Sequence, residues 1–210
     1  MFNLETSQIL YYAGLAGVAV FAVSGALAAA EKKLDILGFI LFATVTGMGG
    51  GTLRDLILDV DVFWVAHPLD LQICVAAGVL TYFVASQFLA RQRLQRVLLW
   101  MDAMGLALFS VLGTAKAYDL GVDPLVACAM GMITPTFGSV IRDILSDREP
   151  VLLGPEIYVT AALAGALSYL LLVFLLGSGG LTLILAMSVA FGVRASALLF
   201  DLRLPKFSSR

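Results

Sequence analysis

The sequence predicts an all-α integral membrane protein of seven transmembrane helices, arranged as two inverted three-helix repeats plus a seventh helix. Three observations carry that prediction. Hydrophobic residues make up 60% of the 210-residue chain and charged residues only 13%, with a mean hydropathy of +0.98, far from the balance of a soluble domain. About seven apolar stretches approach the roughly 20 helical residues that cross a bilayer. The first half of the chain also realigns with the second, without a gap, at an offset of 88 positions.

The spans are expected near residues 9–30, 34–52, 69–90, 97–118, 123–140, 155–176 and 180–200. They form one transmembrane domain over 1–210, with a first repeat over about 9–90, a second over about 97–176 and the seventh helix at about 180–200. The connections are too short for a folded extramembrane domain, and only helices with satisfied backbones suit this pattern. The first span follows Glu5 with no Lys or Arg before it, so no cleaved signal peptide is expected. Trp64 falls in the connection after span two and Trp100 near the start of span four, both interfacial positions.

With seven spans, one side of the membrane receives Lys32, Lys33, Arg91, Arg93, Arg96, Arg142, Arg148, Arg203, Lys206 and Arg210, and the other little beyond Arg54 and Lys116. By the positive-inside rule the first side is cytoplasmic, which puts the N-terminus outside and the C-terminus inside a cell (inner) membrane. Net charge is −2, so no nucleic-acid partner is expected. Cys74 and Cys128 lie in apolar runs and read as buried small hydrophobes.

At the 88-residue offset, "GVAVFAVSGALAA" (Gly17 to Ala29) lies over "GLALFSVLGTAKA" (Gly105 to Ala117), and "TGMGGGTLRD" (Thr46 to Asp55) over "TPTFGSVIRD" (Thr134 to Asp143). Matches include Gly17/Gly105, Phe21/Phe109, Gly25/Gly113, Asp35/Asp123, Gly50/Gly138, Arg54/Arg142 and Asp55/Asp143. A unit of three spans is odd, so its copy enters the membrane upside down, and such folds place their functional path where the units meet.

Spans two and five carry matched interruptions: Gly47, Gly49, Gly50 and Gly51 in one, Pro135, Gly138 and Ser139 in the other. Glycine weakens a helix by roughly 1 kcal/mol and proline removes a donor, so both helices are expected to kink or unwind there. Freed carbonyls survive at membrane depth where they line a wet cavity. Thr44, Thr46, Thr52, Thr134, Thr136 and Ser139 add hydroxyls at the same depth, a set able to replace part of the hydration shell of a monovalent cation. Close packing of small residues explains the same glycines without a path.

Arg54 and Asp55 are expected at the outer mouth, Arg142 and Asp143 at the inner one, too far apart to pair across the membrane. Neighbouring residues point in different directions on a helix, so each Arg is expected to find a partner other than the adjacent Asp, such as a carbonyl at a helix break, or to snorkel. Lys116, near the outer end of span four, is either a snorkelling lysine or a possible gating charge, and Asp102 lies at the opposite end of that span. Arg194 is expected to reach towards the cytoplasmic surface or Asp201.

Catalytic material is sparse. His67 is the only histidine, beside Pro68 in a loop, so neither a metal site nor a serine nucleophile has its partners, and "GMGGGTLRD" lacks the ending of a phosphate loop. No enzyme activity, metal or cofactor is expected.

"FAVSGALAAA" followed by "TGMGGGTLRD", and "GLALFSVLGTAKA" followed by "GSVIRD", make the chain resemble the prokaryotic TRIC family, the trimeric intracellular cation channels. The resemblance spans nearly the whole chain. It implies a homotrimer in membrane lipid, with a pore in each protomer lined mainly by spans two and five and permeable to monovalent cations, potassium or sodium, with potassium the physiological ion. The triple-glycine kink falls on Gly49, Gly50 and Gly51, and its counterpart on Phe137, Gly138 and Ser139, where two glycines are missing and Phe137 is a candidate narrow point. A secondary transporter of a small solute on the same inverted repeat stays open as the alternative.

Overall fold

A computed structural model describes residues 4–88, 91–154 and 157–205 of the chain. They form α1 (Leu4–Glu31), α2 (Ile36–Ile57), a short α3 (Phe63–Ala66), α4 (Leu69–Phe88), α5 (Arg91–Asp119), α6 (Pro124–Leu145), a 3-10 turn at Val151–Leu153, α7 (Val159–Leu176) and α8 (Gly180–Phe200). By length and composition, α1, α2, α5, α6, α7 and α8 are each able to cross a membrane, and α4 contributes the shorter described apolar run Leu69–Ala85. The protein is an all-helical membrane protein. Each expected span coincides with one long helix; α3 and the 3-10 turn were not anticipated.

The caps explain where the paired helices begin. Asp35 Oδ1 accepts from the Gly38 N–H at 2.8 Å, and Asp123 Oδ1 accepts from the Leu125 N–H at 2.8 Å, satisfying donors that a helix start leaves open. Both helices then run past the expected ends at 52 and 140, to Ile57 and Leu145, carrying their Arg-Asp pairs inside. The turns that follow adopt left-handed backbone at Asp59 (φ 53°) and Asp147 (φ 50°), a conformation short polar side chains tolerate.

The expected unwinding does not occur. Helix continues through Gly47–Gly51 and through Pro135–Ser139, although Pro135 has no N–H to donate to the Gly131 carbonyl. Glycine costs a helix roughly 1 kcal/mol each, whereas a backbone group left open in a membrane costs several, so the helices stay closed. Hydroxyls assist in α6, where Thr134 Oγ1 donates to Met130 O at 2.6 Å and Thr136 Oγ1 to Met132 O at 2.7 Å.

The glycines instead allow helices to touch. A Cβ on Gly50 would lie 1.7 Å from the Thr134 carbonyl oxygen, and one on Gly138 would lie 2.6 Å from the Thr46 carbonyl oxygen, so α2 and α6 cross backbone to backbone. Gly25 makes the same approach to α2, 2.3 Å from Phe42 O, and Gly113 to α6, 2.9 Å from Met130 O. Gly17 seats the Phe109 ring and Gly105 seats the Phe21 ring; those two rings stack at 5.4 Å with 13° between planes. Around this centre α1 packs on α2, α4 and α5, and α5 on α6, α7 and α8, with α8 at the periphery.

The helix ends gather on two faces. Lys32 faces Asp147 at 3.9 Å and Arg148 pairs with Glu31, so the ends of α1 and α6 share the basic face. Lys116 reaches Asp55, placing the ends of α5 and α2 together on the opposite face. Of the positively charged residues assigned to the basic face, Lys206 and Arg210 lie outside the described residues.

Gly50→Ala and Gly138→Ala are expected to push α2 and α6 apart and to lower stability by about 1–3 kcal/mol each, the usual cost of overpacking. Gly14→Ala, with nothing within 4 Å of its Cβ, is expected to be near neutral. Thermal unfolding in detergent separates the two outcomes.

Candidate functional site

Each end of the α2–α6 crossing carries a buried charge cluster built from an Arg-Asp pair. At the end of α2, the Arg54 Nε donates to Asp55 Oδ1 at 2.8 Å and its Nη2 lies 2.7 Å from the same oxygen. Asp55 Oδ2 accepts from the Phe63 N–H at 3.0 Å, so α3 docks on the carboxylate. Lys116 Nζ also donates to Asp55 Oδ1, at 2.8 Å. Two cations therefore share one carboxylate.

The end of α6 repeats the pair with a different third partner. Arg142 Nε donates to Asp143 Oδ1 at 2.9 Å, and Asp143 Oδ2 accepts from the Val151 N–H at 3.2 Å, which docks the 3-10 turn. Arg142 Nη1 donates to Ser24 Oγ at 2.7 Å and to Asp102 Oδ1 at 2.5 Å. Here one cation sits between two carboxylates. Tyr158 closes the cluster, its hydroxyl donating to Ser139 Oγ at 2.9 Å, while the Arg194 guanidinium lies 5.1 Å from the Tyr158 ring centroid.

A cavity of about 440 Å³ opens beside the α2 end, lined by Gly14, Val18, Phe63 and Phe109 and by the charged or polar Arg54, Lys116, His67, Asp70 and Asp119. On α2, the hydroxyls of Thr44 and Thr46 are buried and have no partner among the described residues, and that of Thr46 faces Gly25 of α1. Buried polar groups are nearly always satisfied, so these two are suited to water or a passing ion.

The expected residues divide accordingly. Thr46, Gly50, Thr134 and Gly138 meet at the crossing. Gly47 faces Cys74 and the Val18 carbonyl, Gly49 faces Ile141, and Gly51 seats the Phe63 ring. Thr52 is drawn out of the set, donating to Met48 O at 2.7 Å and accepting from Trp64 Nε1 at 2.9 Å. Pro135, Thr136 and Ser139 are buried, but Phe137 is 39% exposed and does not obstruct the crossing.

Three charge assignments are corrected. Arg54 and Arg142 each pair with the adjacent Asp, because a long guanidinium arm folds back across the turn and reaches a carboxylate that Cβ directions alone place elsewhere; Arg142 also has the further partners expected of it, in Asp102 and Ser24. Lys116 is held on Asp55 rather than simply snorkelling. Arg194 is 1% exposed and donates to Ile157 O at 3.3 Å; Asp201 pairs with Arg203 instead. Sequence reasoning missed Ser24, Asp102 and Tyr158 as members of the α6 cluster. The available signal was Asp102 itself, a carboxylate at membrane depth in want of a cation.

Comparison with known proteins places this geometry in a family. A family model described as "Glycine transporter" matches residues 11–86 and again residues 99–173. The UPF0126 inner membrane protein YadS of Escherichia coli K12 is 36% identical over 203 residues, covering 96% of this chain and 97% of that one. A UPF0126 membrane protein of Vibrio cholerae is 34% identical, covering 98% and 85%. Among solved structures, the TRIC trimeric intracellular cation channel orthologue from Rhodobacter sphaeroides is 42% identical, with a TM-score of 0.87 over 92% of this chain and 99% of that one. A prokaryotic TRIC channel crystallised in 0.5 M KCl is 28% identical, with a TM-score of 0.88 over 94% and 100%.

Asp55→Ala is expected to leave two cations without their shared carboxylate and to destabilise by about 3–5 kcal/mol, the usual cost of breaking a buried ion pair. Lys116→Met is expected to cost much less, because the Lys116 side chain is 34% exposed and solvent screens it. Unfolding midpoints of the two variants in one detergent check the ranking.

Proposed function

The chain belongs to the TRIC family, and we propose that it is a monovalent cation channel, selective for potassium, with a pore in each protomer of a homotrimer. The match to solved cation channels over almost the whole chain carries this reading, and both Arg-Asp ends and the glycine crossing fall inside the two segments that the family model matches. The pore is assigned to the path alongside α2 and α6 between their two charged ends, where the buried Thr44 and Thr46 hydroxyls of α2 have no partner among the described residues. Pairing of each arginine with an adjacent carboxylate reduces the repulsion that a cation meets, while Lys116 leaves the α2 end with one positive charge in excess of Asp55.

The finer architecture follows the same line. Helices α1, α2 and α4 form one unit, α5, α6 and α7 its inverted copy, and α8 is the seventh span. The exact 88-residue correspondence of α2 with α6, and the two segments matched by the family model, support a duplicated unit. The basic face is assigned to the cytoplasm and the N-terminus to the outside of the inner membrane. No catalytic role or cofactor is proposed.

The competing reading is a secondary transporter of a small solute built on the same helices, for which glycine, named in the description of the family model, is the first solute to test. Planar-bilayer recording of the purified protein across a potassium chloride gradient decides between them. Unitary steps reversing near the potassium equilibrium potential are expected, with Thr46→Val reducing unitary conductance about twofold while leaving stability unchanged, because its hydroxyl has no partner to lose. Silence, together with glycine-driven uptake into liposomes, would replace the channel with the carrier.

A further inference from the structure

The arginines of the two charge clusters stand 88 positions apart and hold their neighbouring aspartates in the same way, through Nε and Nη2. They differ at the third nitrogen. Arg142 Nη1 donates to Ser24 Oγ and to Asp102 Oδ1, whereas Arg54 Nη1 makes no hydrogen bond among the described residues. The offset gives the reason: Gly14 stands where the other half has Asp102, and Leu112 where it has Ser24, so neither position brings a side-chain acceptor. Gly14, Leu112 and Arg54 all line the 440 Å³ cavity, and a Cβ on Gly14 would meet nothing within 4 Å.

We propose that the cavity beside the α2 end binds a small monocarboxylate with an apolar body, its carboxylate seated on Arg54 Nη1 where the other half places the side chain of Asp102. Charge favours such a ligand, because Arg54 and Lys116 share the single carboxylate of Asp55, while Arg142 already lies between Asp102 and Asp143. Burial strengthens the seat: Arg54 is only 5% exposed, and a hydrogen bond from a guanidinium to a carboxylate is about twice as strong as one between neutral groups. The body of the ligand has Val18, Phe63, Phe109 and Leu112 to lie against, in a volume within the range of about 300–1,000 Å³ usual for small-molecule sites. Asp70 and Asp119 also line the cavity, and their carboxylates oppose a second negative charge on the ligand.

The site goes beyond the channel reading and is tested without any current, from the thermal unfolding midpoint of the purified protein in detergent at fixed pH and ionic strength. Sodium butyrate in place of sodium chloride is expected to raise the midpoint saturably, by about 3–6 °C at ten times its dissociation constant. Glycine is expected to raise it less, having no apolar body, and neither 1-butanol nor succinate is expected to raise it. Gly14→Asp supplies the missing carboxylate from the chain itself, in space that is open, and is expected to fold and to abolish the butyrate shift. No butyrate shift in the unaltered protein, an equal shift in Gly14→Asp, or a shift matched by 1-butanol, succinate or glycine would overturn the site. The comparisons among ligands use the unaltered protein, so they decide the matter even where Gly14→Asp does not fold. A butyrate shift in a protein that passes no potassium current would leave the site standing and remove the channel reading instead; currents without the shift would do the reverse.

Discussion

Two backbones in direct contact hold this protein in its arrangement. At Gly50 and Gly138 the helices α2 and α6 approach so closely that each glycine faces a carbonyl of the other helix. No side chain fits there, so their relative position is fixed by main-chain sterics rather than by the adaptable shapes of an apolar core. In lipid, where apolar side chains gain little by leaving one hydrocarbon surface for another, close approach of small residues is the dominant means of association. Gly25 and Gly113 extend the same logic to α1 and α5, and the stacked Phe21 and Phe109 rings fill the space between those helices.

That contact determines where the charges must go. Both helices carry an arginine about one turn beyond the crossing glycine, inside the protein rather than at its edge, and a buried guanidinium is tolerable only when paired and hydrogen-bonded. The adjacent aspartate supplies the pairing, and its second oxygen recruits a following segment: Phe63 of α3 in one case, Val151 of the 3-10 turn in the other. A single two-residue motif thus neutralises a helix end and anchors the connection that leaves it. The third partner differs, Lys116 on one side and Asp102 on the other, so similar backbones carry opposite surplus charge.

The helices were legible in the sequence because lipid demands long uninterrupted apolar runs, and the offset was legible because Arg54-Asp55 and Arg142-Asp143 stand out in such a background. Of the two readings of the glycine motif, close packing is the one the structure carries: weak intrinsic propensity predicts a break, but the cost of open backbone groups in a membrane outweighs it. Pairing between Arg54 and Asp55 was obscured by an argument about Cβ directions that neglects the reach of a guanidinium arm. The Asp102–Arg142 contact joins α5 to α6 and depends on how each helix is rotated about its axis. Nearly uniform hydrophobicity around these helices leaves no polar face from which that rotation could be read. Phe137 illustrates the same gap, since its place in the motif gave no sign that it faces outward.

The unequal burial of the two charge clusters also has a consequence for ionic strength. Lys116 is about one-third exposed, within reach of dissolved ions, whose screening length is about 8–10 Å at physiological salt. Arg142 and Asp102 are each 1% exposed and scarcely sense the bulk solution. Concentrated salt therefore weakens the hold on Asp55 while leaving the cluster around Arg142 intact. A salt gradient imposed across the membrane is consequently also a structural perturbation, and reversing its direction is not a neutral exchange of baths.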